Sequence, residues 1–230
     1  MKKATFGSFV VAGALAFATT VTAAPIGLLS IDSGGQGVRV TATTIDWFPL
    51  AGGSGTMISA IPTNVIYSGG VLSNGVAGII LDLPPVPVNA FMTFNGHPDL
   101  AFNLAGIGPG SANLDCSSVD QPGESCSLFA GSPFILTYVT ATKTAISLGA
   151  FGNAVDADGS SLWSGAFTTQ VTKSIPQIQA AIFGPNGPGY IDSSYSGEFE
   201  LEFIPEVPEP ASMLLLGLAL GAAAIRRRRR

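Results

Sequence analysis

Few residues in this chain are of a type that could do chemistry. The one histidine, His97, lies in Asn95-Gly96-His97-Pro98-Asp99, which reads as a turn. A hydrolase triad would need that histidine to meet an activated serine, and no Gly-x-Ser-x-Gly elbow is present. Zinc takes several Cys or His ligands. The two cysteines, Cys116 and Cys126, have no histidine near them. Asp156-Ala157-Asp158-Gly159-Ser160 offers alternating carboxylates and a turn glycine, and calcium takes hard oxygen ligands at such spacing. A complete EF-hand loop would need a third oxygen ligand before the glycine and a glutamate six residues after it, where Gly165 stands. Asp156 and Asp158 are therefore calcium candidates beside the plainer reading of an Asp-Gly turn between strands. No converging pair of carboxylates can be nominated for glycoside cleavage, because the acids are scattered in loops. Trp47, Trp163, Tyr67, Tyr190 and Tyr195 could form a sugar-stacking platform, although Trp and Tyr in strands more often fill a core. The expectation is no catalytic residue, no enzyme and no cofactor, with calcium the sole candidate ion.

The cysteines carry a different chemistry. Lys2 and Lys3 precede an apolar stretch from Phe6 to about Val21, and Val21-Thr22-Ala23 supplies small residues for cleavage. That is the three-part pattern of a secretory signal peptide, residues 1–23. A cut after Ala24 would leave Pro25 just beyond the bond, so the cut is placed after Ala23. In an oxidising compartment Cys116 and Cys126 should pair. The loop they close holds Asp120, Pro122, Gly123 and Glu124, all of them turn formers.

From residue 24 to 204 the chain is one domain's worth. Its basic residues are Arg39, Lys143 and Lys173, against thirteen acidic ones, a net charge of −10. The whole-chain value of −5 hides this, because seven of the ten basic residues lie at the two ends. A domain this acidic has no charge with which to hold a phosphate backbone, which excludes nucleic acid as a partner.

Turn signals recur about every ten residues, with Val, Ile, Thr and Phe between them, the composition of many short strands. Strands are predicted over 37–48, 65–67, 75–83, 90–94, 100–104, 134–142, 144–151 and 163–172. Gly52 to Gly55 reads as a loop. The clearest alternation is the last, where Phe199, Leu201 and Phe203 face one way and Glu198, Glu200 and Glu202 the other. Those acids could bind cations, but a solvated face at a sheet edge accounts for them more simply. Ser174 to Gly184 breaks the strand pattern. It has a capping serine, an early Pro176 and a closing glycine, with Ile175, Ile178 and Ile182 at helical spacing. Nine to eleven strands, one short helix and one disulfide predict an all-β, antiparallel β-sandwich.

The C-terminal segment, 205–230, is of another kind. Val207-Pro208-Glu209-Pro210 is followed by an uncharged run from Ala211 to Ile225 and then by Arg226, Arg227, Arg228, Arg229 and Arg230. The prolines stop a helix from extending backwards. An unbroken apolar helix satisfies its own backbone, as lipid requires. At about 1.5 Å per residue the run reaches roughly 22 Å, short of a ~30 Å hydrocarbon core. Snorkelling arginines and local thinning cover the difference. The basic block stays on the cytoplasmic side. Gly217 and Gly221 form a G-x-x-x-G pair, which in so short a run carries little weight.

These three features in fixed order resemble the PEP-CTERM sorting signal of Gram-negative bacteria. The resemblance implies that Pro208, Glu209 and Pro210 are recognised by an exosortase, a membrane transpeptidase-like enzyme. It implies transient anchoring in the inner membrane, removal of the tail, and delivery to the outer surface or the extracellular matrix. It covers about a tenth of the chain and is silent on the activity of the domain before it. More loosely, the order Cys…Cys…Phe, Gly-x-Phe-Thr-Thr-Gln (165–170), short helix and Ser-Tyr-Ser-Gly (194–197) is similar to the ectodomains of uncharacterised secreted PEP-CTERM proteins, which imply no chemistry. The expected function is a structural or adhesive surface protein of biofilm or exopolysaccharide. The alternative is a carbohydrate- or calcium-binding module.

Overall fold

The computed structural model describes residues 24–47, 53–83 and 86–202. The expected signal peptide and the expected transmembrane sorting helix lie outside the described residues, as does Phe203. Among the described residues no helix is long and apolar enough to cross a membrane.

Fifteen strands follow in order: β1 (Ile26–Asp32), β2 (Val38–Val40), β3 (Ile45–Asp46), β4 (Ser54–Ser59), β5 (Asn64–Tyr67), β6 (Gly70–Ser73), β7 (Ala77–Leu81), β8 (Val88–Phe94), β9 (Ala101–Ile107), β10 (Ser125–Cys126), β11 (Phe134–Thr140), β12 (Lys143–Val155), β13 (Ser160–Val171), β14 (Ile191–Ser193) and β15 (Ser196–Glu202). One helix, α1 (Ile175–Phe183), lies between β13 and β14. The pairing runs β12-β13-β15-β1-β4-β7-β8-β9, and β9 returns to β12, so eight antiparallel strands close on themselves. The predicted sandwich is thus corrected to a closed barrel. The antiparallel all-β class, the helix and the disulfide stand.

The strand that makes the difference is β12, thirteen residues long. Its first half, Thr144 to Leu148, pairs with β11, and its second, Ala150 to Val155, with β9. The ladder shifts register at Phe151/Gly152. A side chain on Gly152 would run into the Asn103 carbonyl and the Trp163 ring, so glycine permits the closure there. An eight-strand barrel is just wide enough for side chains to fill. Here Trp163 stacks edge-on to Phe199 at 5.3 Å, Phe199 meets Phe167 at 4.9 Å, and Trp163 reaches Phe102 at 6.5 Å between ring centroids. Trp163 Nε1 donates to the Asn103 carbonyl at 3.0 Å, which satisfies its one polar atom.

Three additions complete the molecule. The β10–β11 hairpin extends the sheet along the first half of β12. The β5–β6 hairpin pairs with the start of β1, where β4 does not reach. A small sheet, β14-β2-β3, is tied across by Arg39, whose Nε and Nη2 donate to the Asp192 carboxylate at 2.8 and 2.9 Å. The single strand expected over 37–48 is divided by a turn in which Thr44 N–H donates to Thr41 Oγ1. Helix α1 matches its expected span. Gln177 Oε1 accepts from the Ser174 backbone N–H at 2.9 Å, Ile175 and Ile178 are buried, and Ile182 packs half-buried beside them.

Candidate functional site

Of the sequence-nominated residues, Tyr67, His97 and Asp156 meet around the turn of the β5–β6 hairpin, and the others are dispersed. Cys116 and Cys126 form a disulfide with Cα atoms 5.3 Å apart. The loop around it is stitched by polar groups. Ser127 Oγ donates to the Phe134 carbonyl and accepts from Ser111 N–H, both at 2.7 Å. One Glu124 oxygen accepts from the N–H groups of Asp120 and Gln121. Asp115 accepts from the hydroxyl and N–H of Ser117, which holds its carboxyl below the usual carboxylate range. All of these bonds lie within residues 111–134, so the loop carries its own geometry rather than presenting groups to a ligand.

Asp156 and Asp158 sit in the β12–β13 turn. One oxygen of Asp156 accepts from the N–H groups of Asp158 and Gly159, and the other from Ser68 N–H at 2.7 Å. The carboxylate is engaged by three backbone donors and clamps this turn to the β5–β6 hairpin. The clamp was not legible in the sequence, because Ser68 is 88 residues away. Among the described residues no group of three His, Cys, Asp or Glu could hold a metal ion.

His97 is a turn residue, as its sequence context suggested. Its N–H donates to the Phe94 carbonyl, and its Nδ1 lies 2.7 Å from the Tyr67 hydroxyl. Burial, with Asp99 and Asp156 nearby, pushes the Tyr67 phenol above its ordinary range. The aromatic candidates do not make an exposed platform. Trp47 and Trp163 are each 1% exposed, and Tyr67 and Tyr195 are buried. Tyr190 is half-buried, and the Arg39 guanidinium lies 3.8 Å from its ring centre. Trp47 packs 4.6 Å from both Phe167 and Tyr195, so it belongs to the core.

Glu198, Glu200 and Glu202 do point to water, with Phe199 and Leu201 inward. They are not on a sheet edge, however. Strand β15 pairs with β1 on one side and β13 on the other. Alternation decides which face a residue takes but not who its neighbours are. Beside this row runs an outer groove of about 380 Å³, bordered by Ser30, Asp32, Ile61, Pro62, Thr168 and Glu198. Its wall is pinned by Thr63, whose hydroxyl donates to the Ser30 carbonyl while accepting from Ser30 N–H.

What the described residues form, then, is an acidic closed barrel whose tryptophans, and Tyr67 and Tyr195, are spent on the core. The feature that speaks to function lies in the tail. Val207, Pro208, Glu209, Pro210 and the arginines Arg226 to Arg230 are outside the described residues. Residues 206–230 match the PEP-CTERM protein-sorting motif. The chain carries a sorting signal consistent with an exosortase substrate, exported and sorted with the envelope. No curated protein and no solved structure matches the chain.

Proposed function

We propose that this is a non-enzymatic protein of a Gram-negative cell envelope or extracellular matrix, delivered by exosortase processing and serving a structural or adhesive role in biofilm or exopolysaccharide. The observation that carries the reading is the PEP-CTERM motif at 206–230. In this reading residues 1–23 direct secretion, 211–225 hold the chain in the inner membrane, and Arg226 to Arg230 stop transfer. The barrel suits that destination. Its disulfide persists outside the cytoplasm, and a closed sheet removes most of the strand edges that invite aggregation. No cofactor is required, and calcium has no part in the structural role.

The test is to replace Pro208, Glu209 and Pro210 together by alanine and to fractionate the cells. The intact chain should then accumulate in the inner membrane while the natural sequence appears trimmed outside it. Unchanged trimming and export of the variant would refute the reading.

A further inference from the structure

Four large apolar side chains stand exposed in one row on the outside of the barrel. Ile26 is 40% exposed, Ile66 48%, Val71 52% and Leu162 51%. The register makes them neighbours. Ile26 pairs with Ile66, and Ile66 with Val71. Leu162 pairs with Glu202, and the Gly27–Leu201 pair sets Glu202 beside Ile26. Across β13, β15, β1, β5 and β6 the order is Leu162, Glu202, Ile26, Ile66, Val71. At about 4.8 Å per strand the row spans roughly 19 Å. Single exposed apolar residues are ordinary, but Ile26, Ile66 and Val71 side by side on a solvent face, with Leu162 just beyond Glu202, are not. Nor is it a frayed edge, since the same hairpin buries Val65, Tyr67 and Leu72 on its inner side.

The position of Glu202 says what would cover this row. It is the last described residue of β15 and a member of the row itself. Only residues 203–210 separate it from the apolar run that begins at Ala211. Eight residues extend at most about 3.5 Å each, roughly 28 Å in all. If 211–225 lie in a bilayer, the Glu202 end of the barrel is held that close to the headgroups. The opposite end is occupied by the disulfide loop. Cys126 pairs with Leu136, Leu136 with Ile146, and Ile146 with Thr169, well up β13 from Leu162.

We propose that Leu162, Ile26, Ile66 and Val71 form a membrane-contact face, which rests on the outer leaflet of the inner membrane while the tail is anchored. The proposal rests on reading the tail as a membrane segment. The row settles at the boundary of headgroups and acyl chains, with the Glu202 carboxylate at headgroup level, and the disulfide loop points away from the lipid. Anchoring would then fix the barrel's orientation as well as its place.

The test uses the full chain in phosphatidylcholine vesicles whose acyl chains are brominated, which quenches tryptophan at the acyl boundary. Trp47 and Trp163, each 1% exposed, supply a constant background. An Ile66→Trp variant should lose at least half of its added fluorescence. A Leu114→Trp variant, at a 49% exposed position beside the disulfide, should lose none. Vesicle flotation reports anchorage separately. Floating protein in which Ile66→Trp is quenched no more than Leu114→Trp overturns the contact face alone. Protein that does not float overturns the reading of the tail and the contact face with it. Should Ile66→Trp disturb the hairpin, Val71→Trp on the outer strand β6 gives the same readout.

Discussion

The barrel and the disulfide loop hold the same chain by opposite means. In the barrel every strand has two partners, and the interior is filled by Trp163, Phe199, Phe167, Phe102 and Leu29. Between β9 and β11 regular structure is sparse, a short 3₁₀ turn at Cys116–Ser118 and the two-residue β10. There a covalent bond and side-chain hydrogen bonds add to a small buried share, Cys116, Val119 and Cys126, and a two-residue ladder. Apolar burial is collective, so one loss in the barrel is felt throughout. A loop held largely by bonds within its own segment can fail by itself.

Trp163→Ala should break the collective side. Losing a buried indole costs about 3–5 kcal/mol, and the Asn103 carbonyl loses its donor. Chemical denaturation should show one transition at much lower denaturant, and a fall below about 1 kcal/mol would show that the aromatic cluster is not the keystone. Replacing Cys116 and Cys126 together by serine sharpens the contrast. In the chain-entropy model so short a loop contributes about 3 kcal/mol. Hydrogen exchange should rise across 110–127 while the barrel amides stay protected. Uniform loss of protection would mean that the two regions are one cooperative unit. Gly152→Ala tests closure itself, since the new methyl meets the Asn103 carbonyl. It should cost about 1–3 kcal/mol, as overpacking does, with exchange rising first in β9.

The smallest effects belong to the surface. Arg39→Ala should have the smallest effect on stability, because the ion pair is largely solvated. Its pH signature has a definite sign. Hydrogen bonds from Arg39 hold the Asp192 carboxyl below its ordinary range, so its contribution is present above about pH 4 and is lost as pH falls further. Asp115 behaves likewise through Ser117. Burial raises the Tyr195 phenol, with Asp32 adding to it. Its neutral form is favoured in the fold, so stability should decline as pH climbs above about 10. Melting in the acid range that is flat for the wild type yet steep for Arg39→Ala would reverse the Asp192 assignment.

Legibility in the sequence followed the locality of the signal. Helix α1 was readable because a capping serine, a glutamine three residues on and isoleucines at helical spacing act within two turns. The disulfide was readable because two cysteines in an exported chain have only each other. Strand β15 was readable from strict alternation. Strands β1, β4 and β6 were not. Their segments, Ile-Gly-Leu-Leu-Ser-Ile-Asp, Ser-Gly-Thr-Met-Ile-Ser and Gly-Val-Leu-Ser, alternate poorly and include glycine. They are strands because neighbours across the ladder take their backbone groups, a preference that lives in the context. The aromatic candidates other than Tyr190 belong to the core, as the commoner fate of Trp and Tyr in strands suggests, but composition alone does not fix which way Trp47 or Tyr195 faces.

Read alone, the chain settled its class and its address: many antiparallel strands, one capped helix, one disulfide, and a tail of Pro-Glu-Pro, apolar run and arginines. Each of these is written in residues close together along the chain. Closure of the sheet was a tertiary decision. It rests on β12 reaching β9 and β15 lying between β1 and β13, pairings between segments tens of residues apart whose ends no local pattern records. The clamp of Asp156 on Ser68 and the row from Leu162 to Val71 arise in the same way, because register across strands places side chains together that sequence order keeps apart.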